Sequence, residues 1–545
     1  MTQDLSSLAI RNITDPWEQG IAAGWDVIDG AAASEDLTLD ADVIIVGTGA
    51  GGGVSAEILS QAGLRVIMVE AARLKSSNQF NMNEGEAYRD LYQEGATRTS
   101  KDAAISILQG RAVGGTTVVN WTSSFRTPEQ TLNHWQDTFG VTGMSAQDMA
   151  PWFERMEKRL KVSRWIMPPN ANNDVIRKAA EKLGWHWDTI PRNVDGCWNL
   201  GYCGTGCPTN AKMSMLVTTL PEAMKAGATL VHSTEAVSLD HDGTRVTAVQ
   251  CRMLGEDRQP NGHRCVLRAP TIIVAGGGIN TPGLLLRSEV PDPHKRVGKR
   301  TTLHVTSSGF GVYDNEVAGY YGAPQSLYSD EFTWRDGATG KMGYKLEVMP
   351  VHPGVTSVLL DVSGERLREE MGELPKLSMA IAMMRDGFHE QSPGGDVQLR
   401  DDGSPVLDYT LSEHLLEGVR HSLLSQVEMH FAAGAKKARA RHSDARYHTS
   451  WQEAKTAIEG YRYATHFVPL GSAHVMGGCA MGSDEAVCVT DSDGRYRHLE
   501  NLYIFDGSVL PTSLGVNPQL TIYSMTARNA SRLAEKLAPS ASATA

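Results

Sequence analysis

At 545 residues the chain exceeds what one hydrophobic core ordinarily organises, so two structural units in one compact body are expected. Hydrophobic residues at 41% and charged residues at 21% exclude a disordered tail or a fibre, and a formal charge of -12 spread along the chain excludes a broad phosphate-binding face. Nucleic acid is therefore not an expected partner. No apolar run approaches the roughly 18 residues that cross a bilayer, and MTQDLSSLAIRNITDPWEQG lacks the basic start and apolar core of a signal segment. The cytoplasm is the expected compartment, with association at a membrane surface left open. Seven cysteines in so long a chain argue for reduced thiols rather than a disulfide framework.

Residues 1–38 read as an N-terminal extension carrying one or two short helices. The first firm element is ADVIIVG, a continuous β-branched run of buried-strand length that breaks into glycines, enters the helix-like VSAEILSQAG and returns in the strand RVIMVE. Gly47, Gly49 and Gly52 have the dinucleotide spacing, and Glu70 closes the second strand about 20 residues on. Gly47 suits the tight turn, Gly49 a close backbone approach to a diphosphate, and Gly52 close helix packing. Glu70 can accept from ribose hydroxyls, and the helix start supplies N–H donors and positive dipole. This pattern identifies an ADP-bearing cofactor without separating FAD from NAD. Next comes GRAVGGTTVVNW, where Gly110, Arg111, Gly114 and Gly115 precede Asn120. The segment reads either as a second stretch of ligand contact, with Asn120 reaching a ring edge, or as an ordinary loop with a helix start.

From about 130 to 195 the pattern is helical and tryptophan-rich. Strand signals return at ATLVHS, TRVTAVQCRML and PTIIVAGGG, with turns that predict a hairpin or meander. Between 305 and 465 alternating runs such as YKLEVMPV and LSMAIAMM surround the long helical stretch SEHLLEGVRHSLLSQVEMHFAAGA. The last 75 residues resume the strand, glycine and helix style of the start. One unit is thus expected from separated pieces, with a ligand between it and the other.

Together the glycine fingerprint, GRAVGGTTVVN, HVMGGCAMG and NLYIFDGSVLPTSLGVNPQLTIYSMTARNA resemble the glucose–methanol–choline (GMC) oxidoreductase family over residues 40–540. The GVNP and DGS elements are similar to those of bacterial cholesterol oxidases, and LEVMPVHPG, PVLDYTLS and CGTGCPTNAK to those of long-chain fatty alcohol oxidases. GGGINTPGLLLRSEV departs from the family's second signature at Ile279 and Glu289. The resemblance implies FAD, with the dissociable form preferred over a covalent one because no obvious histidine stands around VVNW, and an α/β fold with a Rossmann-like FAD-binding domain from 39–130, 200–305 and 466–540. A second α+β substrate domain on an antiparallel sheet would come from 131–199 and 306–465. It also implies Gly114, Gly115 and Asn120 near the flavin and Ala236 and Val237 on the strand meeting the adenine. Asp506 and Gly507 would lie at the diphosphate and ribityl chain, Asn517 and Pro518 at the flavin edge, and His474 would be the catalytic histidine.

The implied chemistry is oxidation of an alcohol, hydrophobic and long-chain or sterol-like, by hydride transfer to flavin. An imidazole suits the hydroxyl proton because it titrates near neutrality, so His474 is the expected base, with Asn517 orienting the oxygen. The electron acceptor is oxygen or another species, including a redox partner protein. Glu347 interrupts an apolar strand and either faces the substrate or faces solvent. Met379, Met383 and Met384 form a pocket wall or ordinary core. Cys197, Cys203 and Cys207 either ligate an iron–sulfur cluster, making the chain a catalytic subunit that feeds a cytochrome or quinone, or form a structural loop. A non-catalytic flavin-binding electron-transfer subunit and an NAD-linked dehydrogenase are the competing classes.

Overall fold

A computed structural model describes residues 13–537. Its first layer is a six-stranded parallel sheet in the order Val27–Asp29, Thr229–His232, Val66–Val69, Val43–Val46, Thr271–Val274, Leu502–Ile504. The central VIIV, VIMV and TIIV runs are wholly buried, as strands covered on both faces must be. The helix Ala50–Gln61 follows the glycine turn and packs against the C-terminal helix Gln519–Leu537. Gly51 and Gly52 let its first turn lie against the neighbouring strand ends: a Cβ on Gly51 would stand 1.5 Å from the Phe505 carbonyl, and one on Gly52 1.9 Å from the Gly47 carbonyl.

Beside this sheet, Thr234–His241, Val246–Leu254 and Pro260–Arg268 form an antiparallel meander, extended by Leu37–Asp40 running parallel to the last strand; of the expected strand segments only TRVTAVQCRML lies in it, ATLVHS and PTIIVAGGG belonging to the parallel sheet. The register slips between Ala236 and Ser238, so Val237 bulges out of the ladder.

A third sheet joins Tyr344–Met349, Leu377–Met384, Thr306–Val312, Leu470–Ser472 and Ile105–Ile107, with Lys437–Ala440 also paired to Thr306–Val312. The long helix Glu413–Ala432 packs on one face of it. Strand periodicity then divides LSMAIAMM: Ala380, Ala382 and Met384 enter the core on one side, while Met379, Ile381 and Met383 line a cavity on the other. Met384 therefore leaves the expected pocket wall and Ile381 replaces it.

The segments differ from their expected allocation in three places. Of residues 1–38, the part from 13 onward is integral: Val27–Asp29 is an edge strand of the parallel sheet, and the buried Trp17 donates its indole N–H to the Leu216 carbonyl at 2.8 Å. Within 131–199, Trp135, Phe139, Phe153 and Met156 belong to the parallel-sheet core, whereas Val175, Ile176 and Ala179 join the antiparallel one. Ile105–Ile107 and Leu470–Ser472 complete the antiparallel sheet although both flank cofactor-type motifs. Among the described residues no helix is long and apolar enough to cross a membrane.

Candidate active site

One cavity of about 810 Å³ runs from the carboxyl ends of the parallel strands to the inner face of the antiparallel sheet. Gly47, Gly49, Glu70, Arg111, Gly115, Asn120, Val237, Asp506, Gly507, His474, Asn517 and Pro518 all line it. Residues up to 471 positions apart in sequence thus meet in one volume because the parallel sheet presents strand ends to it and the antiparallel sheet a face.

At the glycine end the backbone does the shaping. Gly47 turns at φ +97°, where a Cβ would meet the Ala275 carbonyl at 2.6 Å. Gly49 has only the Gly115 Cα, at 3.8 Å, beside its missing Cβ, so its face is open to the cavity. Gly52 does not line the cavity, and its close packing under the turn matches the helix-packing role read from its spacing. Gly114, at φ +97°, sets Gly115 back to back with Gly49. Thr48 ties these pieces together. Its N–H and hydroxyl donate to Glu70 Oε2 at 3.1 and 2.7 Å, and its Oγ1 accepts from the Gly114 N–H at 3.0 Å. Ala72 N–H donates to the other Glu70 oxygen at 3.0 Å. Burial raises the Glu70 pKa, opposed by these donors and by the Arg111 guanidinium, which itself donates to the Ala71 carbonyl at 3.1 Å.

Two further backbone features face the same end. Val237, released from the ladder by the bulge, has its carbonyl taken by Arg287 Nε at 3.0 Å. Asp506 accepts from Gly277 N–H at 2.8 Å and Thr281 Oγ1 at 2.6 Å through one oxygen and from Ser508 N–H at 2.7 Å through the other. This locks the start of the helix Gly277–Arg287 onto the strand end before Gly507. Asn120 differs from its expected use: its Nδ2 donates to Gln519 Oε1 at 2.7 Å and its Oδ1 accepts from Thr122 N–H at 3.3 Å. Its carboxamide holds the C-terminal helix start rather than standing free to meet a ring.

At the other end His474 and Asn517 share the cavity with Met379, Ile381, Met383, Met349 and Leu359. His474 Nδ1 lies 3.0 Å from His304 Nδ1, and His304 Nε2 accepts from the Leu514 and Gly515 N–H groups at 3.3 and 3.2 Å. Burial, assisted by the Lys345 charge, pushes His474 down to about 4, and burial lowers His304 further. Asn517 Oδ1 accepts from Lys345 Nζ at 3.2 Å. Lys345 stands 3.0 Å from Glu347 Oε1 and over the Phe125 ring, 3.1 Å from its centroid. Both charged side chains are almost wholly enclosed, at 1% and 0% exposure. Burial lowers Lys345 to about 8 against the pull of Glu347.

Glu347 therefore faces neither substrate cavity nor solvent. It lies on the same strand face as Lys345, two residues along, and serves as that ammonium's counter-ion. His304, Lys345, Thr48 and Gln519 are absent from the sequence-derived set. A charged pair at period two in the apolar YKLEVM was a readable signal for Lys345, whereas nothing in TTLHVTS marks His304.

The three cysteines make separate polar contacts. Cys197 Sγ accepts from Asn199 N–H at 3.4 Å, Cys203 Sγ from Arg192 Nη2 at 3.8 Å, and Cys207 Sγ lies 3.4 Å from Thr209 Oγ1. Among the described residues no group of three or more His, Cys, Asp or Glu is arranged so that it could hold a metal ion. The loop is held instead by Lys212, whose ammonium donates to the carbonyls of Val118, Asn120 and Cys203.

Two family models described as GMC oxidoreductase match residues 88–306 and 391–526. An uncharacterized GMC-type oxidoreductase of Mycobacterium tuberculosis is 31% identical over 488 residues, 89% of this chain and 74% of that one. A long-chain-alcohol oxidase of Arabidopsis thaliana is 28% identical over 526 residues, covering 91% of this chain and 67% of the relative. A solved formate oxidase of Aspergillus oryzae superposes with a TM-score of 0.68 at 13% identity, over 93% of this chain and all of that one, a likeness of fold.

Proposed function

We propose that this chain, which belongs to the GMC oxidoreductase family, oxidises a hydrophobic, long-chain primary alcohol to the aldehyde with FAD as its cofactor. The observation that carries the reading is one continuous cavity with a glycine cradle at one end and, at the other, an imidazole and a carboxamide set against an apolar row. The donor set fits FAD. The open face of Gly49 and the helix start behind it suit a diphosphate, Glu70 retains acceptor capacity for ribose hydroxyls, and the bulged Val237 offers backbone to an adenine edge. Bound there, FAD supplies the acceptor for hydride, and the protein's part is to bind, orient and manage charge.

His474 and Asn517 meet the alcohol oxygen in this reading, and fixing that oxygen fixes the carbon whose hydrogen is transferred. Met379, Ile381, Met383, Met349 and Leu359 receive the alkyl chain. The apolar side chains lining that end and the similarity to the Arabidopsis long-chain-alcohol oxidase support a fatty alcohol over a small polar one. The electrons leave to oxygen or to another acceptor.

The test is anaerobic mixing of the FAD-loaded protein with 1-decanol, following flavin absorbance. Bleaching is expected, and His474→Ala should slow it by about 10²–10⁴-fold with FAD retained. A His474→Ala protein reduced at the wild-type rate removes that residue from the site, and a flavin that no alcohol reduces sinks the alcohol reading.

A further inference from the structure

We infer that His304 and Lys345, buried residues behind the cavity wall, are positioning residues that make the cavity-facing atoms of His474 and Asn517 hydrogen-bond donors, forming a pocket for a negatively charged oxygen. The inference rests on the alcohol-oxidising reading above and specifies how the oxygen is held.

The polarity follows from counting donors. Two backbone N–H groups, of Leu514 and Gly515, point at His304 Nε2, so that nitrogen carries no proton. A neutral His304 then carries its proton on Nδ1 and donates it to His474 Nδ1 at 3.0 Å. The only proton of a neutral His474 is left on Nε2, the ring nitrogen that makes no bond among the described residues and is free to face the cavity. The opposite tautomer would set a His304 Nε2–H against two N–H groups.

Asn517 is oriented in the same sense. Only its Oδ1 can accept from the Lys345 ammonium, so its Nδ2 turns away from Lys345 and makes no bond among the described residues. Lys345 is held in place by Glu347 at 3.0 Å and by the rings of Phe125 and Tyr328, with centroids 3.1 and 4.4 Å from Nζ. The charged and titratable groups bearing on His474 are Lys345 and His304, and those bearing on Lys345 are Glu347 and, more remotely, Asp330.

Two aimed N–H donors with a buried ammonium behind one of them favour an oxyanion over a neutral hydroxyl. Because His474 Nε2 already bears a proton, it donates to the alcohol oxygen rather than taking the hydroxyl proton, which is released to solvent as the carbonyl forms. With FAD bound, the C–H electron pair would leave as hydride to the flavin while the C=O bond forms, and Nε2–H and Nδ2–H would stabilise the negative charge that develops on the oxygen. His474 is a donor in this scheme, not the proton acceptor read from the sequence.

Two experiments test this. The FAD-loaded protein is titrated with decanoate and with decylamine, and in parallel with acetate and methylammonium, which need no apolar arm, following flavin absorbance. The carboxylates should bind at least about ten-fold more tightly than the matching amines, and Lys345→Met should abolish the preference. Amines binding as tightly as carboxylates overturn the inference. If 1-decanol reduces the flavin while carboxylates show no preference, the donor pocket fails and the alcohol reading survives; a carboxylate preference without reduction by any alcohol gives the converse. In the second experiment His304→Leu should lower kcat by about 10²-fold with KM little changed, and His304→Gln, which restores a donor toward His474, should recover about ten-fold of that loss. Equal losses in the two variants, or a loss confined to KM, count against the assignment. Should His304→Leu not fold, the Gln variant and the wild-type titrations still decide it.

Discussion

The two ends of the cavity are built by different means. The cradle end is backbone: positive φ at Gly47 and Gly114, a bulge at Val237, and glycines whose missing Cβ atoms let the turn, the helix and the GRAVGG segment touch. The reaction end is side chains: two histidines, an amide and an enclosed Lys345–Glu347 pair, brought from four separate segments. The contrast teaches that the first end fails by steric overlap, while the second fails by losing a partner for a buried charge or a lone pair.

The largest expected effect breaks the cradle. Gly52→Ala places a Cβ 1.9 Å from the Gly47 carbonyl, backbone against backbone, so a destabilisation at or beyond about 4–5 kcal/mol is expected, seen as loss of soluble yellow protein. Gly49→Ala is the control. With its nearest neighbour at 3.8 Å the fold should be retained, as judged by circular dichroism, while FAD dissociates more readily. Equal damage from both would erase the distinction between packing and ligand-facing glycines.

Next comes the buried pair. Glu347→Ala leaves an enclosed ammonium without its counter-ion and should cost about 3–5 kcal/mol in urea unfolding. The double variant Lys345→Met/Glu347→Leu should regain most of that stability and none of the turnover. Recovery of both would show the pair to be structural alone.

The third separates the ends by pH. His430, in the antiparallel unit, is enclosed between the Tyr313 hydroxyl at 3.1 Å and the Gly309 carbonyl at 3.2 Å, and burial pushes it down to about 4. The unfolded chain takes up this proton near 6.5 and the folded chain only near 4. Stability is therefore complete above about pH 6.5 and falls as pH drops through that window, by about 2–4 kcal/mol for this residue at pH 4. His474 titrates in the same direction at the reaction end. Melting temperatures across pH 4–7 should show the slope, and His430→Gln should flatten it without changing flavin reduction at pH 7.

The smallest effect sharpens the cradle. Thr48→Val removes the hydroxyl linking Glu70 to Gly114 and should cost about 1 kcal/mol of stability and a modest part of FAD affinity, measured by fluorescence titration.

By itself the sequence determined the nucleotide half. A β-branched run, glycines at fixed spacing and an acid at the next strand end are local patterns whose physics acts within about 25 residues, so Gly47, Gly49 and Glu70 could be placed by reading alone. Of the meander over 234–268 the middle strand and its flanking turns were legible, its outer strands not. What only the tertiary structure decided is which side chains become partners across long separations. Glu347 is a counter-ion because its strand face turns inward toward Lys345, Asn120 is committed because Gln519 lies within reach, and Met384 leaves the pocket because strand side chains alternate about a face the sequence does not name. His304 reaches His474 across 170 positions. Hydrogen-bond direction is settled by every group around an atom, and those groups are assembled only by the fold.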